Sequence, residues 1–310
     1  MTGDQLSEVF DLVEVRGVVS GGFAVRGPWV SRAEIEGLKF LAVVSGRALL
    51  TADGVEASIA LGPGDVAVLN DRSWLRMEGG TGEGPPREIL PEADFTSARV
   101  IGADRDADVV VGGHVDLNAA GRALLLRALP PVAHIRGSAA EAAPLRGSLH
   151  RLFVEATGDR MGSAFAIRQH GQLLLLEVLR AYVEQAELPP GWLRLLTEER
   201  LRPALDLIHA DPGRSWGLRE LAGAVAMSRT SFAETFRGVA GVPPLTYLSR
   251  WRMLLAQRAL REGDASVAVL AAELGYASAS AFSNAFKREV GESPLRYRYR
   301  YRVRGATGGP

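Results

Sequence analysis

A chain of 310 residues with 47% hydrophobic side chains has material for two packed cores, so two domains are expected. It contains no cysteine, which excludes disulfides and thiolate metal sites; with neither a secretory leader nor an apolar run of spanning length, a soluble, cytoplasmic protein with no membrane partner is expected. The net charge of zero divides unevenly: residues 1–199 hold 19 Lys+Arg against 27 Asp+Glu, a net of −8, and residues 200–310 hold 17 against 9, a net of +8, as in an acidic body with a basic part that meets a polyanion.

Residues 9 to about 100 read as short strands. "FAVRGPWV", "LKFLAVVSGRALLTADG", "VEASIALGPGDVAVLN" and "SWLRME" mix alternating and fully apolar runs, separated by Ser-Gly, Asp-Gly and Gly-Pro-Gly-Asp turns. Strands so closely spaced predict an antiparallel sandwich or barrel. From about Pro144 the period becomes helical, in "LRGSLHRLFVEA" and "SAFAIRQHGQLLLLEVLRAYVEQAEL". The wide apolar stripe of these helices either packs on the barrel or pairs two copies of the chain. Pro189-Pro190-Gly191 ends the second helix, and a linker is expected near 188–198. A further helix through "EERLRPALDLIHA" stops at Asp211-Pro212-Gly213.

The remainder is helical and contains one unit twice. "SRTSFAETFRGVAGVPPLTY" from Ser228 and "SASAFSNAFKREVGESPLRY" from Ser278 share Ser, Phe, Phe, Gly, Pro, Leu and Tyr at matched positions fifty residues apart. Each copy reads as helix, turn, helix, with Ser228 and Ser278 as N-caps and Ser266 capping the helix before the second unit. Phe232/Phe236 and Phe282/Phe286, each i and i+4, anchor the second helices, and the shared Gly, Pro, Leu and Tyr are expected to complete a buried frame. That leaves Arg229, Thr230, Ala233, Glu234 and Arg237 outward on one helix, and Ala279, Ser280, Ser283, Asn284 and Lys287 on the other. Small polar side chains flanked by cations suit a helix lying in the DNA major groove. A solenoid for protein contact is the competing reading, but solenoids need three or more units for stability and the basic excess lies in this segment.

These residues carry a resemblance. "ELGYASASAFSNAFKREVGESPLRYR" is similar to the signature of the AraC family of bacterial transcription regulators, and "LAGAVAMSRTSFAETFRGVAGVPPLTYLSRWRMLLAQRALRE" resembles that family's first helix-turn-helix and connecting helix. The resemblance covers roughly 100 residues. It implies a DNA-binding domain of seven helices over residues 198–300, with double-stranded promoter or operator DNA as partner. The family's base-reading positions fall on Thr230, Glu234, Ala279, Ser280 and Asn284. An Arg is frequent in the family where Glu234 and Asn284 stand; Glu accepts from cytosine N4 and Asn pairs with adenine, or Glu234 simply pairs with Arg229 or Arg237. Arg229, Arg237, Lys287 and Arg288 read as phosphate contacts. For "RYRYRYRVR" the expectation is Tyr297 in the core followed by a solvated, fraying end, with Arg against a phosphate strand as the alternative.

"VVSGRALLTADGVEASIALGPGDVAVLN" resembles the cupin-like sensor domain of many AraC-type regulators, which implies a sensor and dimerisation domain over residues 1–190. The fold class expected is therefore two-domain α+β: a cupin-like β-barrel with trailing helices, then an all-α double helix-turn-helix domain. A barrel this small holds one small ligand, an unknown small-molecule effector, with Trp29, Lys39, Arg47, Trp74 and Arg76 as candidate lining; the competing readings are core for the two tryptophans and surface for Arg76. Cupin enzymes hold a metal through clustered histidines. Here His114 is the first histidine, and it is far from His134, His150, His170 and His209, so neither metal nor cofactor is expected. A regulator, not an enzyme, follows; a metal-dependent cupin enzyme fused to a DNA-binding module is the alternative. The resemblance leans towards an activator, though the residues leave activation and repression open. It also allows RNA polymerase and a second copy of the chain as partners.

Overall fold

The computed structural model describes residues 5–12, 15–17, 21–90, 107–157 and 160–307, and the chain forms two compact units. The first spans Val15–Asn118 and Arg122–Glu187. Its strands are β1 (Val15–Gly17), β2 (Gly21–Val25), β3 (Trp29–Glu34), β4 (Leu38–Ser45), β5 (Ala48–Ala52), β6 (Ile59–Leu61), β7 (Val66–Asn70), β8 (Trp74–Gly79), β9 (Arg87–Ile89), β10 (Asp108–Leu117) and β11 (Val132–Ile135). One sheet runs β1-β10-β4-β7-β11, with β2 also on β10; the other runs β6-β5-β8-β3-β9. Pairing is antiparallel except between β3 and β9. Central β4 and β7 are apolar at almost every position because both their faces are covered, whereas β5 alternates buried and half-buried residues.

The core between the sheets holds Leu41, Val43, Leu50, Leu61, Leu69, Met77 and Val110. One carboxylate straps the two sheets together. Asp108 on β10 accepts the indole N–H of Trp29 on β3 at 2.7 Å and the Arg47 backbone N–H at 3.1 Å. Gly46, at φ 78°, turns the chain beneath it, where a Cβ would collide with the same carboxylate. Helices α2 (Ala119–Ala128), α3 (Ala143–Thr157) and α4 (Ser163–Gln185) follow β10. The α+β expectation holds, with two layered sheets and trailing helices before an all-helical second unit.

That second unit contains α5 (Trp192–Thr197), α6 (Arg202–Ala210), α7 (Leu218–Ala224), α8 (Arg229–Ala240), α9 (Pro244–Glu262), α10 (Val267–Glu273), α11 (Ala279–Val290) and α12 (Pro294–Thr307). It also takes in α1 (Gln5–Leu12) from the chain's N-terminus. Three segments depart from the sequence reading. Residues expected to form a linker carry α5, which buries Leu193 and Leu195, and beside it the Gly191 N–H donates to the Val239 carbonyl at 2.9 Å. The basic tail is helical to Thr307 rather than fraying: Tyr297 is fully buried, Tyr301 packs on it, and Arg300 and Arg302 pair with Glu292 and Asp264. Most unexpected is α1, which lies where strands were anticipated from residue 9.

α1 presents Val9 and Leu12 on one face, 4% and 1% exposed. Gln5 donates to Asp206 at 2.7 Å, and Glu8 meets His209 Nδ1 at 2.8 Å. An ionised carboxylate only accepts, so Nδ1 carries the proton and Nε2 accepts from the Tyr247 hydroxyl at 2.9 Å. The imidazole also stacks on Trp251 at 3.9 Å, and its side chain is 3% exposed. Burial lowers the His209 pKa below its usual value, outweighing the opposite pull of Glu8 and Asp206. Burial and the Glu8 charge push the Tyr247 phenol up, so it remains a donor.

Because the folded state disfavours imidazolium, the contribution of His209 to stability is complete above its unfolded pKa of about 6.5 and shrinks as pH falls below that value. Thermal melts of the full chain at pH 7.5 and 5.5 are expected to show this loss. His209→Leu should cost about 1–3 kcal/mol at pH 7.5, by leaving Tyr247 and Glu8 without their partner, and should flatten the pH dependence.

Candidate nucleic-acid interface

The two repeated units build two near-identical scaffolds. α8 begins at Ser228, whose hydroxyl accepts the Ser231 N–H at 3.2 Å; α11 begins at Ser278, whose hydroxyl accepts from Ala281 at 3.1 Å. Both helices end on a glycine at positive φ, Gly241 at 72° and Gly291 at 89°, the left-handed cap that glycine supplies without strain. Between the caps, the i, i+4 phenylalanines are fully buried. Phe232 and Phe236 meet edge to face at 5.7 Å, and Phe236 meets Tyr247 at the same distance. In the second unit Phe282–Phe286 lie 5.9 Å apart and Phe286–Tyr297 5.5 Å. Pro244 and Pro294 are buried with these rings, as the shared pattern suggests. Leu245 and Leu295 are not part of the frame: they stand 43% and 65% exposed on the first turns of α9 and α12.

With the rings facing inward, the opposite faces of α8 and α11 stay open. Arg229, Thr230, Glu234 and Arg237 are exposed and Ala233 half-buried on α8; Ser280, Asn284, Lys287 and Arg288 are exposed and Ala279 and Ser283 half-buried on α11. The structure therefore brings the residues picked out from sequence onto two outward helix faces. The cations there are unspent. Elsewhere in the unit Arg250 pairs with Glu289, Arg214 with Glu220 and Arg258 with Glu262, and Arg252 donates to the carbonyls of Pro212 and Arg214. Arg229, Arg237, Lys287 and Arg288 form no ion pair or side-chain hydrogen bond among the described residues. Glu234 likewise makes no bond to Arg229 or Arg237, so the intrahelical pair is absent. Sequence reasoning passed over Arg219, an exposed and equally unpaired cation on α7; as a single charge outside the repeated pattern it gave no signal.

Within the helical unit, a tight contact sets the turn after α10 against the turn after α6. A Cβ on Gly213 would collide with the Glu273 carbonyl, and one on Gly275, at φ 73°, with the Gly213 carbonyl. Arg252 on α9 lies beneath this junction, over the Tyr276 ring at 5.6 Å.

In the sheet unit the candidate ligand residues do not converge. Trp29 is core, 1% exposed and against Phe23. Arg47 is exposed in the β4–β5 turn, Trp74 is 42% exposed at the start of β8, and Arg76 pairs with Glu78 at 2.5 Å. Lys39 lines a cleft, beside His114 and Arg122, two residues that sequence reasoning missed. They lie 75 and 83 positions along the chain from Lys39 and meet it only through strand pairing and the placement of α2. Among the described residues, no group of three His, Asp or Glu side chains is arranged to hold a metal.

A cupin family model matches residues 4–184, and a helix-turn-helix domain model matches residues 221–300. An AraC-like transcription regulator of Streptomyces lividans is 35% identical over 300 residues, covering 95% of this chain and 98% of that protein. Another, from Streptomyces antibioticus, is also 35% identical, over 302 residues, with 95% of this chain and 98% of that protein covered. Among solved structures, the DNA-binding domain of the global transcriptional factor AdpA, in complex with a target DNA, is 33% identical; the alignment covers 36% of this chain and all of that domain, with a TM-score of 0.34.

The glycine junction admits a two-sided test. Gly275→Ala, placing a methyl at positive φ against a carbonyl, should cost about 1–3 kcal/mol in thermal or urea unfolding. Gly223→Ala on α7, with nothing near its Cβ position, should be neutral or stabilise by up to about 1 kcal/mol.

Proposed function

The chain belongs to the AraC-like transcription regulators with an N-terminal cupin domain, and from that premise we propose how its two units divide the work. The protein is a DNA-binding transcription regulator, not an enzyme; the relatives that it matches over nearly their whole length are themselves regulators, which leaves the alternative of a fused cupin enzyme without support. α8 and α11 are its two recognition helices, entering successive major grooves about ten base pairs apart. The observation that carries this reading is the contrast between cations already paired in the frame and the free Arg229, Arg237, Lys287 and Arg288 on the open faces. These four, with Arg219, contact phosphates and set the register. Thr230 and Glu234 on one helix, and Ala279, Ser280 and Asn284 on the other, meet base edges, while Ala233 and Ser283 let the helices approach closely.

The sheet unit, which lies within the residues 1–190 of the sequence reading, is the sensor and dimerisation domain, and the helical unit, with α1 added to the residues 198–300 of that reading, is the DNA-binding domain. A small-molecule effector bound in the sheet unit controls the regulator, in the sense of activation. Exposed Val154, Met161, Phe165 and Leu173 on α3, α4 and the turn between them support pairing of two copies. RNA polymerase is the partner through which activation acts, and the site of action is the cytoplasm; among the described residues no helix is long and apolar enough to cross a membrane.

The test is direct binding of the full chain to duplexes from its own upstream region. Affinity should fall steeply with salt as phosphate contacts release counterions. Lys287→Ala and Arg237→Ala should each weaken binding alike across sequences and lower the salt slope by about 1. Salt-independent binding, or variants that change base preference and leave the slope intact, would count against the phosphate role.

A further inference from the structure

At one end of the sheet sandwich the inner face changes character. β4 and β10 pair antiparallel, and their residues meet as Val43 with Val110, Leu41 with Gly112, and Lys39 with His114. Because side chains alternate faces along a strand, Lys39 continues the row of Leu41 and Val43, and His114 that of Val110; Leu41, Val43 and Val110 are core. The other neighbour of Lys39 is Leu69 on β7, fully buried in that core. An apolar face thus ends in an ammonium opposite an imidazole, with Arg122 of α2 on the rim of the same cleft of about 450 Å³. Glu34, at the end of β3, and Glu36, in the β3–β4 turn, border it, both exposed.

Lys39 is half-buried and forms no ion pair or side-chain hydrogen bond with either glutamate or any other described residue; the Arg122 side chain is equally unpaired. Burial alone lowers the Lys39 pKa. An ammonium held on an apolar face without a counter-charge is unfavourable, and an anion entering the cleft removes the cost. The walls decide which kind of anion. Ile35, Leu117 and Leu126 supply apolar surface, which suits a hydrocarbon body and offers nothing to a bare phosphate, and the two rim glutamates repel a dianion more than a monoanion. The cleft lies within the size range of sites for small organic ligands, roughly 300–1,000 Å³.

We propose that this cleft binds a small organic monocarboxylate, its carboxylate held by Lys39 and Arg122 beside His114 and its apolar body against Ile35, Leu117 and Leu126. As a regulatory input the proposal rests on the reading of the sheet unit as the effector domain; as a binding site it stands by itself.

Calorimetric titration of the full chain with benzoate and octanoate tests it, with benzyl alcohol, octanol and inorganic phosphate as comparators. At least one carboxylate should bind at least tenfold more tightly than its alcohol and than phosphate. Lys39→Met and Arg122→Gln should each weaken that binding at least tenfold, and Lys39→Arg should retain part of it. Without added ligand, Lys39→Met should melt no lower than the natural protein, because it removes an unpaired ammonium from an apolar face. Equal binding of alcohol and acid, binding unchanged in both variants, or no binding of either carboxylate overturns the proposal. DNA binding with and without the carboxylate separates the two readings. Carboxylate binding through Lys39 that leaves DNA affinity unchanged keeps the site and removes the effector role. A DNA response that persists in Lys39→Met keeps the effector role and removes the site.

Discussion

The DNA-binding unit depends on one repeated constraint: two phenylalanines a helical turn apart, closed by a tyrosine from the next helix. Phe232, Phe236, Phe282 and Phe286 are wholly enclosed, and truncating any one of them to Ala would cost about 3–5 kcal/mol. The rings fix which side of α8 and α11 faces the core. Everything on the opposite side is thereby released from structural duty. This is why the two exposed faces differ freely, Thr230 and Glu234 against Ser280 and Asn284, while the serine caps, glycine caps and aromatic frames beneath them remain the same.

The two frames are alike but are tethered differently. The Tyr297 hydroxyl donates to Gln257, a buried side chain on α9, at 3.4 Å, so the second frame is closed by residues of its own neighbourhood. The Tyr247 hydroxyl donates instead to His209, and His209 to Glu8 on α1. The first frame is therefore completed by a residue more than two hundred positions away in the chain. A fragment lacking the N-terminal helix would keep the second frame as it is and leave a buried imidazole of the first without its carboxylate.

The legible parts of the sequence were those governed by local rules. A cap serine, an i, i+4 aromatic pair and a left-handed glycine act within one or two helical turns, so α8, α9 and α11 could be placed without coordinates, and so could the outward residues. The short alternating runs likewise disclosed the sheets. What stayed hidden depended on partners remote in sequence. α1 is only eight residues long and is held by Asp206 and His209; α5 is six residues whose Leu193 and Leu195 become buried only in the folded unit. The tail reads as an alternating Arg-Tyr string with no visible reason to stay helical, yet Tyr297 and Tyr301 pack together and Arg300 and Arg302 pair with Glu292 and Asp264. Lys39 was visible as an odd cation in an apolar run, but its companions His114 and Arg122 come from β10 and α2, and a register between strands 75 residues apart is not written in either strand alone. Trp29 shows the converse: a tryptophan in a barrel strand reads either as pocket lining or as core, and only the Asp108 contact reveals a cross-sheet strap.

The central claim is that a shared buried frame carries two independent readers. The most direct measurement is the base-preference profile of the full chain, selected from randomised duplexes, beside those of Glu234→Ala and Asn284→Ala. The account expects each variant to relax preference in its own short block, the two blocks lying about ten base pairs apart, with the other block unchanged. Both variants altering the same block, or neither altering any, would contradict it.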